Sequence, residues 1–243
     1  MFGVQGRVVA MLTLRATMGR KRALLFALPP LILLVTTALL KVAHPAATDW
    51  PSHLLGTFGY TVVLPLTALI IGTSVLGAEI DDGSIVGLLA TPVPRSVVVV
   101  CKYVVAVVLT MAFVAVPELL AGLIATAGMT KLAVGLFVGA LAGSVIYNAI
   151  FVMVSVVTTR AIAVGLAYVL VWEGLLGNLA GGARLLSAGQ YSLGIANAVA
   201  HDSSLNAQVG LSTALVMGAV VTVLTLVVAV RRLESFSLKG DAV

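Results

Sequence analysis

The sequence predicts an all-α integral membrane protein with six transmembrane helices, and three observations support that fold class. Of the 243 residues, 60% are hydrophobic and only 9% are charged, against roughly 25% charged in a soluble domain. Several apolar runs exceed the roughly 18 residues that a helix needs to cross a bilayer. The sequence lacks the ten-residue alternating segments of a transmembrane barrel. A water-soluble fold is therefore excluded, and all of 1–243 is expected to form one membrane domain.

The six predicted spans cover about 23–40, 54–76, 97–126, 132–157, 161–180 and 209–230. The first span follows a basic segment without acidic residues, which is predicted to form an amphipathic helix at the membrane surface. A cleaved signal peptide is the alternative for this region. However, the apolar core of a signal peptide is usually about 7–15 residues long, which is shorter than the predicted first span. An uncleaved first span is therefore favoured.

The fourth span carries a doubled GxxxG pattern formed by Gly135, Gly139 and Gly143. Because small residues let helix backbones approach closely, this face predicts tight helix packing. Packing within the chain is favoured over a seam between two chains, and both remain open. After the fifth span, residues 181–208 are too short and too polar to span twice. They are predicted to form short helices that re-enter the outer leaflet and are covered by protein.

Basic residues orient the chain in the membrane. Of the fourteen Lys and Arg residues, eleven fall on one side of the predicted topology, and only Lys41, Lys131 and Arg184 fall on the other. The positive-inside rule therefore places both termini in the cytoplasm. The net charge of +5 is explained by topology, so nucleic acid is not expected as a partner.

The cytoplasmic stretch 77–95, between spans two and three, is predicted to be a surface helix that binds a partner. Near its start lie three of the nine acidic residues of the chain: Glu79, Asp81 and Asp82. Negative charge is favoured at a helix N-terminus. Apolar side chains recur at i, i+3 and i+4 and share one helix face: Ile85, Leu88 and Leu89. Since anionic headgroups repel acidic residues, a protein partner is favoured over lipid, and a solubilising loop helix is the alternative.

Catalytic and metal-binding motifs are missing from the sequence. It contains no phosphate-binding G-x-x-x-x-G-K-[ST] loop and no H-E-x-x-H pair. Its three histidines fall in predicted outer segments, and its single cysteine, Cys101, cannot form an internal disulfide. We therefore expect no catalytic residue, metal site or cofactor in this chain. A membrane enzyme or a non-transporting scaffold remains the alternative class.

Glu118 and Glu173 are the acidic residues inside predicted spans. An ionisable group at the centre of a span costs about 2.5–3.5 kcal/mol on insertion scales, so it usually faces protein or a water-filled path. Both residues are predicted to lie in the outer half of the membrane. They are candidates for lining a substrate cavity that favours cationic amphiphiles. The structural alternative is that they cap the helix break at Pro117 or bond to the re-entrant segment.

Taken together, these features resemble the permease subunits of type 2 ATP-binding-cassette (ABC) exporters. The topology match covers nearly the whole chain, and its most specific part is the pattern E-x-x-[DE]-G-[ST]-x-x-x-L-L-x-[TS]-P-[VI]-x-R followed by a lysine. The residues that carry the pattern are Glu79, Asp82, Gly83, Ser84, Leu88, Leu89, Thr91, Pro92, Val93, Arg95 and Lys102. Pro94 departs from the serine or threonine of many relatives.

This resemblance implies a multi-pass protein of the cell membrane, surrounded by lipid, that pairs with a second permease, either a copy or a homologue. A separate ABC ATPase subunit would bind ATP and Mg²⁺. The coupling residues would be Glu79, Asp81, Asp82, Gly83, Ile85, Leu88, Leu89 and Arg95. The implied activity is efflux of drugs, antibiotics or other amphiphiles by alternating access, with lipid or polysaccharide export as the alternative.

Overall fold

The computed structural model describes residues 11–14, 17, 20–44, 50–81, 94–128, 130–176 and 186–235. Within these residues all regular structure is helical and no strand occurs, which confirms the all-α class. The α-helices are α1 (Arg20–Ala43), α2 (Trp50–His53), α3 (Leu64–Asp81), α4 (Arg95–Thr110), α5 (Val116–Thr126), α6 (Lys131–Val157), α7 (Ala161–Ala167), α8 (Ala188–Ala200) and α9 (Leu211–Glu234).

Three π-helical segments interrupt these helices: π1 (Leu54–Val63), π2 (Met111–Ala115) and π3 (Tyr168–Leu176). The spacing of apolar residues in the sequence did not predict them. Pro117 supplies a local reason for π2, because proline has no N–H and its ring collides with the carbonyl of the fourth preceding residue. Segments of π-helix are uncommon and occur frequently at functional sites. Here π1 and π2 lie next to Glu118, and π3 contains Glu173.

Five helical stretches in the described residues are long and apolar enough to cross a membrane: Ala23–Ala43, Trp50–Gly77, Arg95–Thr126, Lys131–Val157 and Leu211–Glu234. They correspond to five of the six predicted spans. The predicted fifth span, 161–180, is represented by the shorter apolar helix Ala161–Gly174, and its last residues lie outside the described residues. The multi-pass architecture is therefore confirmed, whereas the count of six spans stays a prediction.

Helix α6 is the central element and packs against α3, α5, α8 and α9. It begins after a tight turn in which Ala127 adopts a left-handed φ of 55° and the Thr130 hydroxyl accepts a hydrogen bond from the Ala133 N–H at 3.3 Å. Outer helices α1 and α9 expose long apolar faces, including Leu28 and Val223. These faces suit a hydrocarbon environment rather than water.

Contacts between residues that are distant in the sequence define two ends of the bundle. At one end, the Asp202 end, Lys41 Nζ donates to the Ala125 carbonyl at 2.9 Å and Ser52 Oγ donates to Asp202 Oδ2 at 2.5 Å. At the other, the Arg95 end, Arg95 contacts the C-terminus of α9. Residues that the sequence assigns to one side of the membrane are thus brought together.

The re-entrant region contains α8, whose 13 residues correspond to about 20 Å of helix, less than the roughly 30 Å of a bilayer core. Most of its side chains are buried, from Ala188 to Ala196, although part of the preceding segment lies outside the described residues. A short helix at membrane depth is tolerated where protein covers its ends. Helix α8 therefore lies inside the bundle rather than in lipid.

Candidate transport site

Most of the predicted coupling residues lie outside the described residues, namely Asp82, Gly83, Ile85, Leu88 and Leu89. Glu79 and Asp81 belong to the last turn of α3, but their side chains are not described. The surface helix between spans two and three therefore stays a prediction. The start of α4, which follows the stretch, is described and carries two cationic side chains bonded to helix carbonyls.

At the C-terminal border of the stretch, Arg95 binds the end of α9. Its Nη1 donates to the carbonyl oxygens of Leu233 at 2.9 Å and Glu234 at 2.6 Å. The last carbonyls of a helix have no partner within the helix, and a cation there is favoured by the helix dipole. Arg95 therefore links the start of α4 to the last span, a contact that the sequence alone did not indicate.

Lys102 joins the third span to the second. Its side chain is 1% exposed, and its Nζ donates to the carbonyl oxygen of Val75 in α3 at 2.8 Å. A buried ammonium group is stable only when protein atoms replace its hydration. The helices on either side of the predicted coupling segment are thus held together close to that segment.

Glu118 is fully buried at the start of α5, with 0% exposure. Neither carboxyl oxygen has a hydrogen-bond partner among the described residues. The group lies against Gly59 of π1, where an added Cβ would be only 2.0 Å from Oε1. Only glycine at this position leaves room for the carboxyl group. The sequence identified Glu118 as unusual but gave no sign of its contact with Gly59.

Tyr60, next to Gly59, does not satisfy Glu118. The Tyr60 side chain is 1% exposed, and its hydroxyl donates to the Leu136 carbonyl of α6. This hydroxyl is also close to Gly139, where an added Cβ would lie 2.5 Å away. The Tyr60 hydroxyl is therefore directed to the α6 backbone.

Glu173 differs from Glu118 because its carboxylate is fully engaged. It is 8% exposed and accepts hydrogen bonds from the Tyr168 hydroxyl at 3.0 Å, from the Ala188 N–H at 2.9 Å and from the Ser187 hydroxyl. Ser187 is the N-cap of α8 and also accepts from the Gln190 N–H at 3.1 Å. Negative charge at a helix N-terminus is stabilised by the helix dipole. The structure thus places Glu173 at the first turn of the re-entrant helix.

The glycine face of α6 packs on α8. An added Cβ would lie 2.6 Å from the Ala196 carbonyl oxygen at Gly135, 2.7 Å from the Ser192 carbonyl oxygen at Gly139, and 2.7 Å from Ser192 Oγ at Gly143. The order of these contacts makes the two helices antiparallel. Helix α8 therefore begins beside the middle of α6 and runs toward the Asp202 end.

This direction fixes the position of Glu173 along α6. An added Cβ at Gly189, in the first turn of α8, would lie 3.2 Å from both Glu173 Oε2 and the Tyr147 hydroxyl. Tyr147 lies just past the midpoint of α6 when counted from Lys131. The Glu173 carboxylate therefore lies near the middle of α6, and its predicted position in the outer half of the membrane stays a prediction.

The Asp202 end is closed by a polar contact outside the spans. Besides accepting from Ser52, Asp202 accepts from the Ser204 N–H at 2.9 Å, and its own N–H donates to Asn197 Oδ1 at 3.0 Å. Burial acts to raise the pKa of Asp202, but the hydrogen bonds from Ser52 and Ser204 and the nearby His53 lower it overall. The ionised aspartate therefore ties α2 to the loop before α9.

Two open apolar clefts lie among the described residues. One, of about 490 Å³, is lined by α2 and π1, including Trp50, Thr57 and Phe58. The other, of about 360 Å³, lies between α6, α8 and α9 and includes Ile146 and Gly218. Such surfaces can accept apolar chains. The first cleft is on the opposite side of π1 from Glu118, because Gly59 and Tyr60 are buried whereas Thr57 and Phe58 line the cleft.

Comparison with known proteins gives one family. A model of that family, described as "ABC-2 family transporter protein", matches residues 18–176. This region contains the predicted coupling stretch and both buried glutamates. No curated protein matches the chain.

Proposed function

Since the chain belongs to the ABC-2 family of transporter proteins, of which it is a membrane-spanning permease subunit, we propose that it forms an ATP-driven exporter of amphiphilic compounds with a separate ATPase. The family match, which covers 18–176, carries this proposal. Because the sequence contains no phosphate-binding loop, the partner subunit would bind ATP and Mg²⁺ and hydrolyse the nucleotide.

The predicted coupling stretch 77–95 is the proposed contact with the ATPase. When the ATPase subunits close on ATP, their movement would reach this stretch first. Arg95 would pass the movement to the end of α9 through its two carbonyl contacts, and Lys102 would pass it to α3. These bonds support the proposal because they join α4, the helix that follows the stretch, to two different spans.

A second permease, identical or homologous, is proposed to complete the transport path. A central cavity would open alternately to the two sides of the membrane of the cell. Glu118 and Glu173 are proposed as the anionic groups that favour cationic amphiphiles, and the apolar cleft beside π1 would accept the hydrocarbon part of such a molecule. Drugs and antibiotics fit this description.

Two substitutions test the coupling assignment. Glu79→Ala and Gly83→Leu are expected to abolish stimulation of ATP hydrolysis by the transported compound, because they alter the surface that the ATPase binds. Membrane insertion should not change, since neither residue contributes to an apolar span. Glu234→Ala is the matched control, because Glu234 is an exposed acidic residue at the same end of the bundle.

The measurement is ATPase activity of the co-expressed complex in lipid vesicles, with and without compound. Stimulation that is unchanged in both Glu79→Ala and Gly83→Leu would remove the coupling role. Stimulation that is lost in Glu234→Ala as well would indicate a general effect of charge rather than a specific contact.

A further inference from the structure

We infer that Glu118 is a proton-binding site of the permease, where a neutral carboxylic acid is held between π1 and α5 and loses its proton when these two elements separate. The proton site rests on the packing around Glu118. Only its consequence for export rests on the proposed function.

No described group would compensate a negative charge on Glu118. The Glu118 side chain is 0% exposed, and neither oxygen is hydrogen-bonded within the described residues. An ionised carboxylate that has lost its water and gained no donor is far less stable than the neutral acid. In this conformation the group therefore carries a proton.

Glu173 provides an internal comparison. Its carboxylate receives the Tyr168 and Ser187 hydroxyls and the Ala188 N–H, and it lies at a helix N-terminus. Those donors stabilise negative charge. Two glutamates buried in one bundle thus differ: the oxygens of Glu173 receive donors, whereas neither oxygen of Glu118 does.

There is also no space between Glu118 and π1. An added Cβ at Gly59 would lie 2.0 Å from Oε1 and 3.2 Å from Oε2, so the carboxyl group rests directly on backbone. A hydrated cation does not fit between them. The proton is the one cation small enough to occupy this contact.

No described titratable side chain on the elements packed around α5 forms a hydrogen bond to Glu118 in place of the proton. Its neighbouring elements carry titratable side chains, namely Lys41 on α1, His53 on α2, Tyr60 on π1, and Lys131 and Tyr147 on α6. Tyr60 donates to Leu136. Lys41 donates to Ala125, seven residues and about 10 Å along the helix. None of these described groups is hydrogen-bonded to Glu118.

The location of Glu118 gives the proton a route out. Glu118 follows the junction of π2 and α5 at Pro117, and π1 separates it from the cleft lined by Trp50 and Thr57. Movement of π1 away from α5, toward that cleft, would open the contact between Gly59 and Glu118 and admit water to the carboxyl group. The acid would then release its proton to water, and the resulting carboxylate would attract the cationic group of an amphiphile. Proton and organic cation would therefore alternate at one site.

Isotope-edited infrared spectroscopy tests the inference on the full-length chain in lipid nanodiscs. With ¹³C-glutamate, the wild-type protein at neutral pH is expected to show a carbonyl band of a protonated glutamic acid. This band should be lost in Glu118→Gln and kept in Glu173→Gln. A wild-type spectrum without the band at neutral pH, or a band that persists in Glu118→Gln, would overturn the assignment.

Carbodiimide labelling of the wild-type protein provides a test that needs no variant. A hydrophobic carbodiimide adds to a protonated buried carboxyl group, so mass spectrometry should find the adduct on Glu118 and not on Glu173. Labelling of Glu173 alone would contradict the inference. Both measurements use the chain without an ATPase, so their failure would leave the proposed export function to its own test.

Discussion

Substitution of Gly139 by alanine tests the packing of α8 on α6. An added Cβ would lie 2.5 Å from the Tyr60 hydroxyl, 2.6 Å from Ala196 Cβ and 2.7 Å from the Ser192 carbonyl oxygen. Carbon atoms do not approach this closely, and the Ser192 oxygen belongs to the backbone of α8. Helix α8 or Tyr60 must therefore move.

The magnitude follows from two opposing effects. Overpacking of a tight core costs about 1–3 kcal/mol, whereas replacing glycine by alanine inside a helix stabilises it by up to about 1 kcal/mol. We expect Gly139→Ala to lower the free energy of unfolding by about 1–2 kcal/mol, and the apparent melting temperature in detergent by about 2–8 °C.

Gly77→Ala is the matched control for Gly139→Ala. Gly77 also lies in a membrane helix, but its added Cβ would be 3.8 Å from Ser155 Cβ, an ordinary contact. Melting of both variants is compared with wild type by fluorescence-detected size exclusion after heating. If Gly139→Ala melted at the same temperature as Gly77→Ala, the close packing of α8 on the glycine face would be refuted.

Three further predictions concern other contacts. Glu173→Gln should lower the free energy of unfolding by about 1.5–3 kcal/mol, because hydrogen bonds to a charged group are lost at α8. Glu234→Gln, at an exposed site, should not lower it. An equal effect in both variants would contradict the capping role of Glu173. Arg95→Gln should increase amide hydrogen exchange at the end of α9, since the Leu233 and Glu234 carbonyls lose their donor; exchange unchanged from wild type would exclude this link. The pKa of Asp202 is lowered in the folded chain. The ionised carboxylate therefore stabilises the folded state above its unfolded pKa of about 3.9, and this stabilisation is lost as the pH falls through the folded value. Acid melting curves should show this loss in wild type and not in Asp202→Asn.

The sequence predicted the fold class and most spans because the length of an apolar run and the thickness of a bilayer determine both. The second span begins at Trp50 rather than at about residue 54. Pro51 explains the difference, since proline is favoured in the first turn of a helix. The predicted spans leave Trp50 and Pro51 outside because the neighbouring residues are polar.

Features that depend on packing between distant segments were not predictable. The GxxxG pattern indicated a close helix contact, but nothing local identified α8 as the neighbour of Gly139. The contact between Gly59 and Glu118 joins two spans, and Gly59 has no local pattern that marks it. Likewise, Arg95 matched a family pattern, but its bonds to α9 depend on how the last span folds back.

The central claim, that this permease works with a separate ATPase, is tested most directly by purification. The tagged chain is extracted from native membranes in mild detergent, and the proteins that accompany it are identified by mass spectrometry. We predict that a subunit with a Walker-type phosphate-binding loop accompanies the chain and that the complex hydrolyses ATP. Purification of the chain with no ATPase subunit would contradict the claim and would favour a non-transporting membrane scaffold.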